Sequence, residues 1–182
     1  MVKIGATVLA AAFITALPAS LAAPQGRLTV GVAGSLVRAS LSGELATSHA
    51  ARLFAARGEY EPFQVIVEAN GTPLGPLNVA ASDLRSEAGV IARSNVTVYR
   101  EQFVRVMRGS PDFGGSNRPA PSGLYPDGLI PLPLSTSDAA IKTAAPGQGR
   151  ERAIFWIDIF VPREALPGAY TGTVTVSSGP EN

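Results

Sequence analysis

Short runs of alternating apolar and polar residues, each closed by glycine, proline or an Asn-Gly pair, recur along this chain. In Pro62–Ala69, Phe63, Val65, Val67 and Ala69 share one parity, while Gln64, Ile66 and Glu68 share the other. Successive side chains of a strand point to opposite faces, so a period of two specifies a strand and excludes an amphipathic helix. The 19 glycines and 15 prolines supply the turns between such runs. Leu28–Val32, Ala50–Ala56, Leu77–Ala81, Asn95–Met107, Ile154–Val161 and Tyr170–Val176 read as further strands, and Leu36–Leu41 as another candidate. Ser82-Asp83-Leu84 and the region of Gly89 read as a connection.

Two runs carry extra information. In Asn95–Met107, Val96, Val98, Val104 and Val106 share a parity with Arg100 and Gln102, so the middle must kink, bulge or leave the core. Ile154–Val161 is apolar at both parities, with Trp156 and Phe160 opposite Phe155, Ile157 and Ile159, and with Asp158 among them. Such a strand lies centrally in a sheet or is covered from outside. Between these two runs, residues 108–152 read as a long loop rich in Gly, Pro and Ser, and a loop of that length is functional or disordered. Seven or eight short strands with turns at regular intervals specify an all-β, antiparallel β-sandwich, immunoglobulin-like or jelly-roll-like.

The N-terminus reads differently. Lys3 precedes an apolar run from Ile4 to Leu17, Pro18 closes it, and Ser20-Leu21-Ala22 places small residues where a signal peptidase cuts. Residues 1–22 are thus expected to be a signal peptide, and residues 23–182 a single exported domain, periplasmic or extracellular in a bacterium. The apolar run is shorter than the ~20 residues a membrane-spanning helix needs. Removing 22 of the 182 residues leaves 160, too few for a (β/α)8 barrel of roughly 250. It also removes Lys3, leaving 14 basic against 14 acidic residues. A neutral chain has no electrostatic footprint for nucleic acid or, after signal cleavage, for a membrane. The 46% hydrophobic and 16% charged content excludes disorder. With no cysteine and one histidine, a disulfide framework, a cysteine metal site and a multi-histidine site are excluded, and no cofactor is expected.

Few residues suggest chemistry. Glu59 and Glu61 are two apart, which on a strand puts them on one face about 6–7 Å apart, within the range of a glycosidase pair. Arg57 stands beside them, and an ion-pair cluster at a turn is the favoured reading. His49 lies in a polar connector, and no G-x-S-x-G elbow surrounds any serine. Gly147-Gln148-Gly149 lacks the third glycine of a dinucleotide loop. Asp112, Asp127 and Asp138 match no calcium-loop spacing and read as solvated. Trp156, Tyr125, Tyr99 and Phe113 could form a sugar-stacking platform, although Trp156 in an apolar strand suits core or interface packing better. Tyr170, just after Pro167-Gly168, suits a corner in which its hydroxyl ties down a neighbouring connection.

Several segments together carry a resemblance. They are Arg57-Gly58-Glu59-Tyr60-Glu61-Pro62-Phe63-Gln64-Val65, Asn95-Val96-Thr97-Val98-Tyr99-Arg100-Glu101, Tyr125-Pro126-Asp127-Gly128-Leu129-Ile130-Pro131, and Trp156–Pro162 leading into Pro167-Gly168-Ala169-Tyr170-Thr171-Gly172-Thr173-Val174. In this order they resemble the N-terminal β-sandwich of glycoside hydrolase family 123, the β-N-acetylgalactosaminidase-like group, over about residues 27–178. The resemblance implies a sandwich that packs against a C-terminal (β/α)8 barrel, where an adjacent Asp–Glu pair guides attack by the substrate's own acetamido group. No adjacent acidic pair occurs here, so no catalytic residue carries over. What carries over is scaffold: Arg57, Glu59, Glu61 and Gln64 organising a turn and its strands, and Tyr125, Pro126 and Asp127 shaping a loop that faces the barrel. The expectation is therefore a non-catalytic accessory domain whose partner is a catalytic domain, either the front of a longer protein or a solitary copy. One sheet should expose an apolar patch for that partner. The alternatives are a stand-alone carbohydrate-binding or surface-adhesion module, with Tyr125 or Trp156 lining a shallow groove, and a small hydrolase using Glu59 and Glu61.

Overall fold

A computed structural model describes residues 2–10, 28–44, 47–70, 74, 77–115, 119–132 and 150–178. The described backbone forms eleven strands and one short 3-10 turn, Arg93–Asn95. In chain order the strands are β1 (Val2–Ala10), β2 (Leu28–Gly34), β3 (Ala50–Ala55), β4 (Tyr60–Asn70), β5 (Leu77–Ala81), β6 (Leu84–Ser86), β7 (Gly89–Ile91), β8 (Val96–Val106), β9 (Gly123–Leu132), β10 (Arg150–Phe160) and β11 (Ala169–Ser178). One sheet runs β3-β1-β11-β6-β7, with β5 also paired to β11; the other runs β2-β4-β10-β8-β9. Every pairing is antiparallel except that of β1 with β11.

The two sheets share one core. Val30, Val32, Phe63, Val65, Val67, Val96, Val98, Phe155, Ile157 and Ile159 of the second sheet pack with Ala51, Ala55, Leu77, Val79, Leu84, Ile91, Tyr170, Val174 and Val176 of the first. These are the inward parities of the alternating runs. Phe63, Val65, Phe155 and Ile157 are wholly buried, each contributing about 1.5–3 kcal/mol by leaving water. On β11, Tyr170, Gly172, Val174 and Val176 face in, and the threonines between them face out or are half-buried.

The outward face of the second sheet is also covered, which the alternation of β4 did not announce. Gln64, Ile66 and Glu68 are all buried. The segment after β2 folds back over them: Ala33, Ala39, Ile66, Phe103 and Ile154 make a second, smaller core, with Leu41 packed at its edge. Gln64 holds this segment by donating from Nε2 to the carbonyls of Gly34 (2.8 Å) and Val37 (2.6 Å). Arg152 holds it further along, donating to the carbonyls of Ser40 (2.8 Å), Ser42 (3.4 Å) and Gly43 (2.9 Å) while its Nε bonds Glu68 at 3.1 Å. A buried guanidinium is tolerable here because every face of it meets an acceptor.

Three expectations are corrected. Leu36–Leu41 is not a strand; its alternating apolar residues serve as the lid just described. Residues 82–91 are more than a connection, since Leu84–Ser86 and Gly89–Ile91 form a small hairpin. Residues 108–152 are not one loop: β9 lies inside them, paired along its length with β8. It is an edge strand, where Pro126 and Pro131 remove no bond from an interior ladder. Val2–Ala10, part of the segment expected to be a signal peptide, runs as a strand between β3 and β11. The remainder of the expected leader, Gly71 of the Asn70-Gly71 turn, Asp138 and Gly147-Gln148-Gly149 lie outside the described residues.

Candidate functional site

The 35–39 turn, β4, β8, β9 and β10 meet at a cleft of about 430 Å3 on the outward face of the second sheet. The register explains the meeting. Trp156 pairs laterally with Gln64 of β4 and Tyr99 of β8, and Glu101 of β8 pairs with Leu129 of β9. Between Gln102 and Phe103 the β8–β9 register shifts, with Gln102 opposite Gly128 and Phe103 opposite Pro126. The extra residue is Asp127, which the shift brings to the cleft wall. β8 itself carries no extra residue: it meets the parity of Arg100 and Gln102 by leaving the main core after Val98, with Gln102 and Val104 exposed.

Glu101 is the chemically distinctive residue. It is only 4% exposed, and its Oε2 has no hydrogen-bond partner among the described residues. Burial raises its pKa from the usual 4.5 to about 7. Removing a carboxylate from water is costly unless a partner compensates it, so an orphaned acid in a cleft is a notable expense to the fold. Asp127 and Arg38 share the cleft. The Arg38 guanidinium lies over the Tyr125 ring, 5.4 Å from its centroid, and among the described residues no ion pair joins it to Glu101. At the rim, Leu36 and Val37 are exposed and Leu129 is 43% exposed.

The candidate residues read from the sequence divide between this cleft and other places. Gln64, Asp127 and Trp156 line it, and Tyr125 stands beside it beneath Arg38, its hydroxyl donating to the Pro121 carbonyl at 2.6 Å. Trp156 and Tyr125 are both half-buried. Arg57, Glu59 and Glu61 lie at the β3–β4 turn. Among the described residues no ion pair joins them: the Glu59 carboxylate accepts the Ala56 N–H at 2.8 Å, closing a turn in which Gly58 adopts φ +84°. Gly58 and Glu59 also exchange backbone bonds with Val161, fixing this turn to the end of β10. Asp158 lies on β10 opposite Pro62 and Thr97, its pKa raised by burial. Tyr170 is buried, and its hydroxyl donates to the Leu166 carbonyl at 2.9 Å across the turn before β11. Among the described residues no group of three or more His, Asp or Glu could hold a metal ion; Asp112 accepts the Gly114 N–H. Glu101 was missed as a site residue because nothing in the local sequence signals the burial of an acid.

Two all-β layers pack around one core, and the second sheet carries a covered, cleft-bearing outer face. The family follows from comparison. The sequence model of the glycoside hydrolase 123 N-terminal domain matches residues 42–178, and the chain belongs to that family. Among solved structures it is similar to a family 123 glycoside hydrolase from Clostridium perfringens, with a TM-score of 0.54 at 17% identity, over 84% of this chain. The chain spans 24% of the length of that enzyme, which was studied for glycolipid glycan hydrolysis. No curated protein matches the chain.

Proposed function

We propose that this chain is an exported, non-catalytic accessory β-sandwich that packs against a family 123 catalytic domain. The observation that carries the reading is the match of residues 42–178 to the family's N-terminal domain, together with the quarter of a solved family enzyme that the chain covers. The exposed apolar rim at Leu36, Val37 and Leu129 supports a docking face on the outer side of the second sheet. The leader-like pattern of residues 1–22 supports export. Hydrogen exchange tests the docking: amides of residues 35–39 and 128–130 should slow when a family 123 catalytic domain is added, and unchanged exchange there would reject it.

A second reading, a carbohydrate-binding module, draws support from one specific observation. Trp156 is half-buried in the wall of a cleft that also holds Glu101, Asp127 and Gln64, and an aromatic face beside polar groups suits a sugar ring.

A further inference from the structure

We propose that the Glu101 cleft is a socket for one arginine side chain of the docking domain. The proposal rests on the docking reading for the source of the arginine, and on this chain alone for the chemistry of the socket. The Glu101 carboxylate is enclosed, and its Oε2 has no partner among the described residues. The nearby wall adds a second acid, Asp127, and the side-chain carbonyl of Gln64, whose amide group is already committed to the Gly34 and Val37 carbonyls. Arg38 also lines the cleft, but its guanidinium lies over the Tyr125 ring and pairs with neither acid among the described residues, so the two carboxylates and the Gln64 carbonyl ask for a group with several N–H donors. The walls nearer the surface are apolar, from Leu36, Val37, Leu129 and the half-buried Trp156. A guanidinium on a three-carbon stem matches both: the stem lies along apolar surface, the planar head forks onto a carboxylate, and an indole face attracts the cation. Arginine is also a residue type that recurrently anchors protein interfaces in such desolvated pockets. A neutral sugar would use the Trp156 wall and the carboxylate but would leave the exposed apolar rim unexplained.

Trp156 is the chain's single tryptophan, so tryptophan fluorescence, excited selectively over the four tyrosines, reports on this cleft. N-acetyl-arginine amide should produce a saturable fluorescence change in the full chain, with a Kd on the order of millimolar for so small a probe. The isosteric, uncharged N-acetyl-citrulline amide should produce none, and Glu101→Gln should weaken arginine-amide binding about tenfold or more. Absence of saturation would overturn the proposal, as would equal binding of the citrulline compound or by Glu101→Gln. Saturation by N-acetylgalactosamine in place of the arginine compound would assign the cleft to sugar. Binding that appears only in Arg38→Ala would show that Arg38 itself fills the socket, and would equally overturn the proposal. Docking and socket fail separately: unprotected amides in the exchange experiment would leave the arginine-amide result untouched.

Discussion

Glu101 ties the protonation of one side chain to the stability of the fold. In the unfolded chain its carboxyl releases a proton near 4.5, and in the folded chain near 7. Between these values the folded state holds the extra proton, so stability contributed by this group is greatest below 4.5 and falls as the pH rises toward 7. Asp158, also raised by burial, acts in the same direction. Arg38 and Asp127, which face the same cleft, are retained when Glu101→Gln is made, so the variant isolates one carboxyl. Urea midpoints should decline for the wild type across this window and decline less for Glu101→Gln, with the variant the more stable at about pH 8. Parallel curves for the two proteins would mean that Glu101 is hydrated in solution.

At the scale of elements, close approach is what fixes β11 to its neighbours. A Cβ added at Gly172 would lie 3.0 Å from Leu84 Cγ and 3.1 Å from the Asp83 carbonyl oxygen. That oxygen belongs to backbone and cannot move without shifting β6. Gly172→Ala should therefore cost about 1–3 kcal/mol, read as a lower thermal midpoint. An unchanged midpoint would show that the β6–β7 hairpin yields freely. The elements also show where sequence is sufficient. β4, β8, β10 and β11 were legible because each is long and carries alternating residues that enter the shared core, although the burial of the second face of β4 was not. The cover over the second sheet was not, because Leu36–Leu41 alternates as a strand does while the chain there bends into a lid. β9 was hidden by Pro126 and Pro131, which are tolerated at an edge: among the described residues no further strand pairs on its far side. Within the cleft, Gln64, Asp127 and Trp156 had been singled out for separate reasons; that they share one wall with Glu101 depends on register across four strands, and no local pattern encodes it.

For the molecule as a whole, the position of β1 matters most. It is paired on both sides, to β3 over Val2–Thr7 and to β11 over Lys3–Ala10, so β3 and β11 do not bond each other. Take that strand away and two unsatisfied edges face one another about 10 Å apart, the width of one missing strand. A chain starting at Ala23 should therefore bind a synthetic peptide of residues 2–10, measurable by fluorescence anisotropy, whereas the full chain should not. Equal, negligible binding by both would mean that the sheet closes without an insert. Were residues 1–22 the export leader proposed above, the same few residues would have two incompatible destinies. A segment threaded through an export channel cannot at that moment be a rung in a sheet, so a precursor that folded early would conceal its own address. Timing between translation, folding and translocation would then decide whether a given molecule leaves the cell or stays inside it.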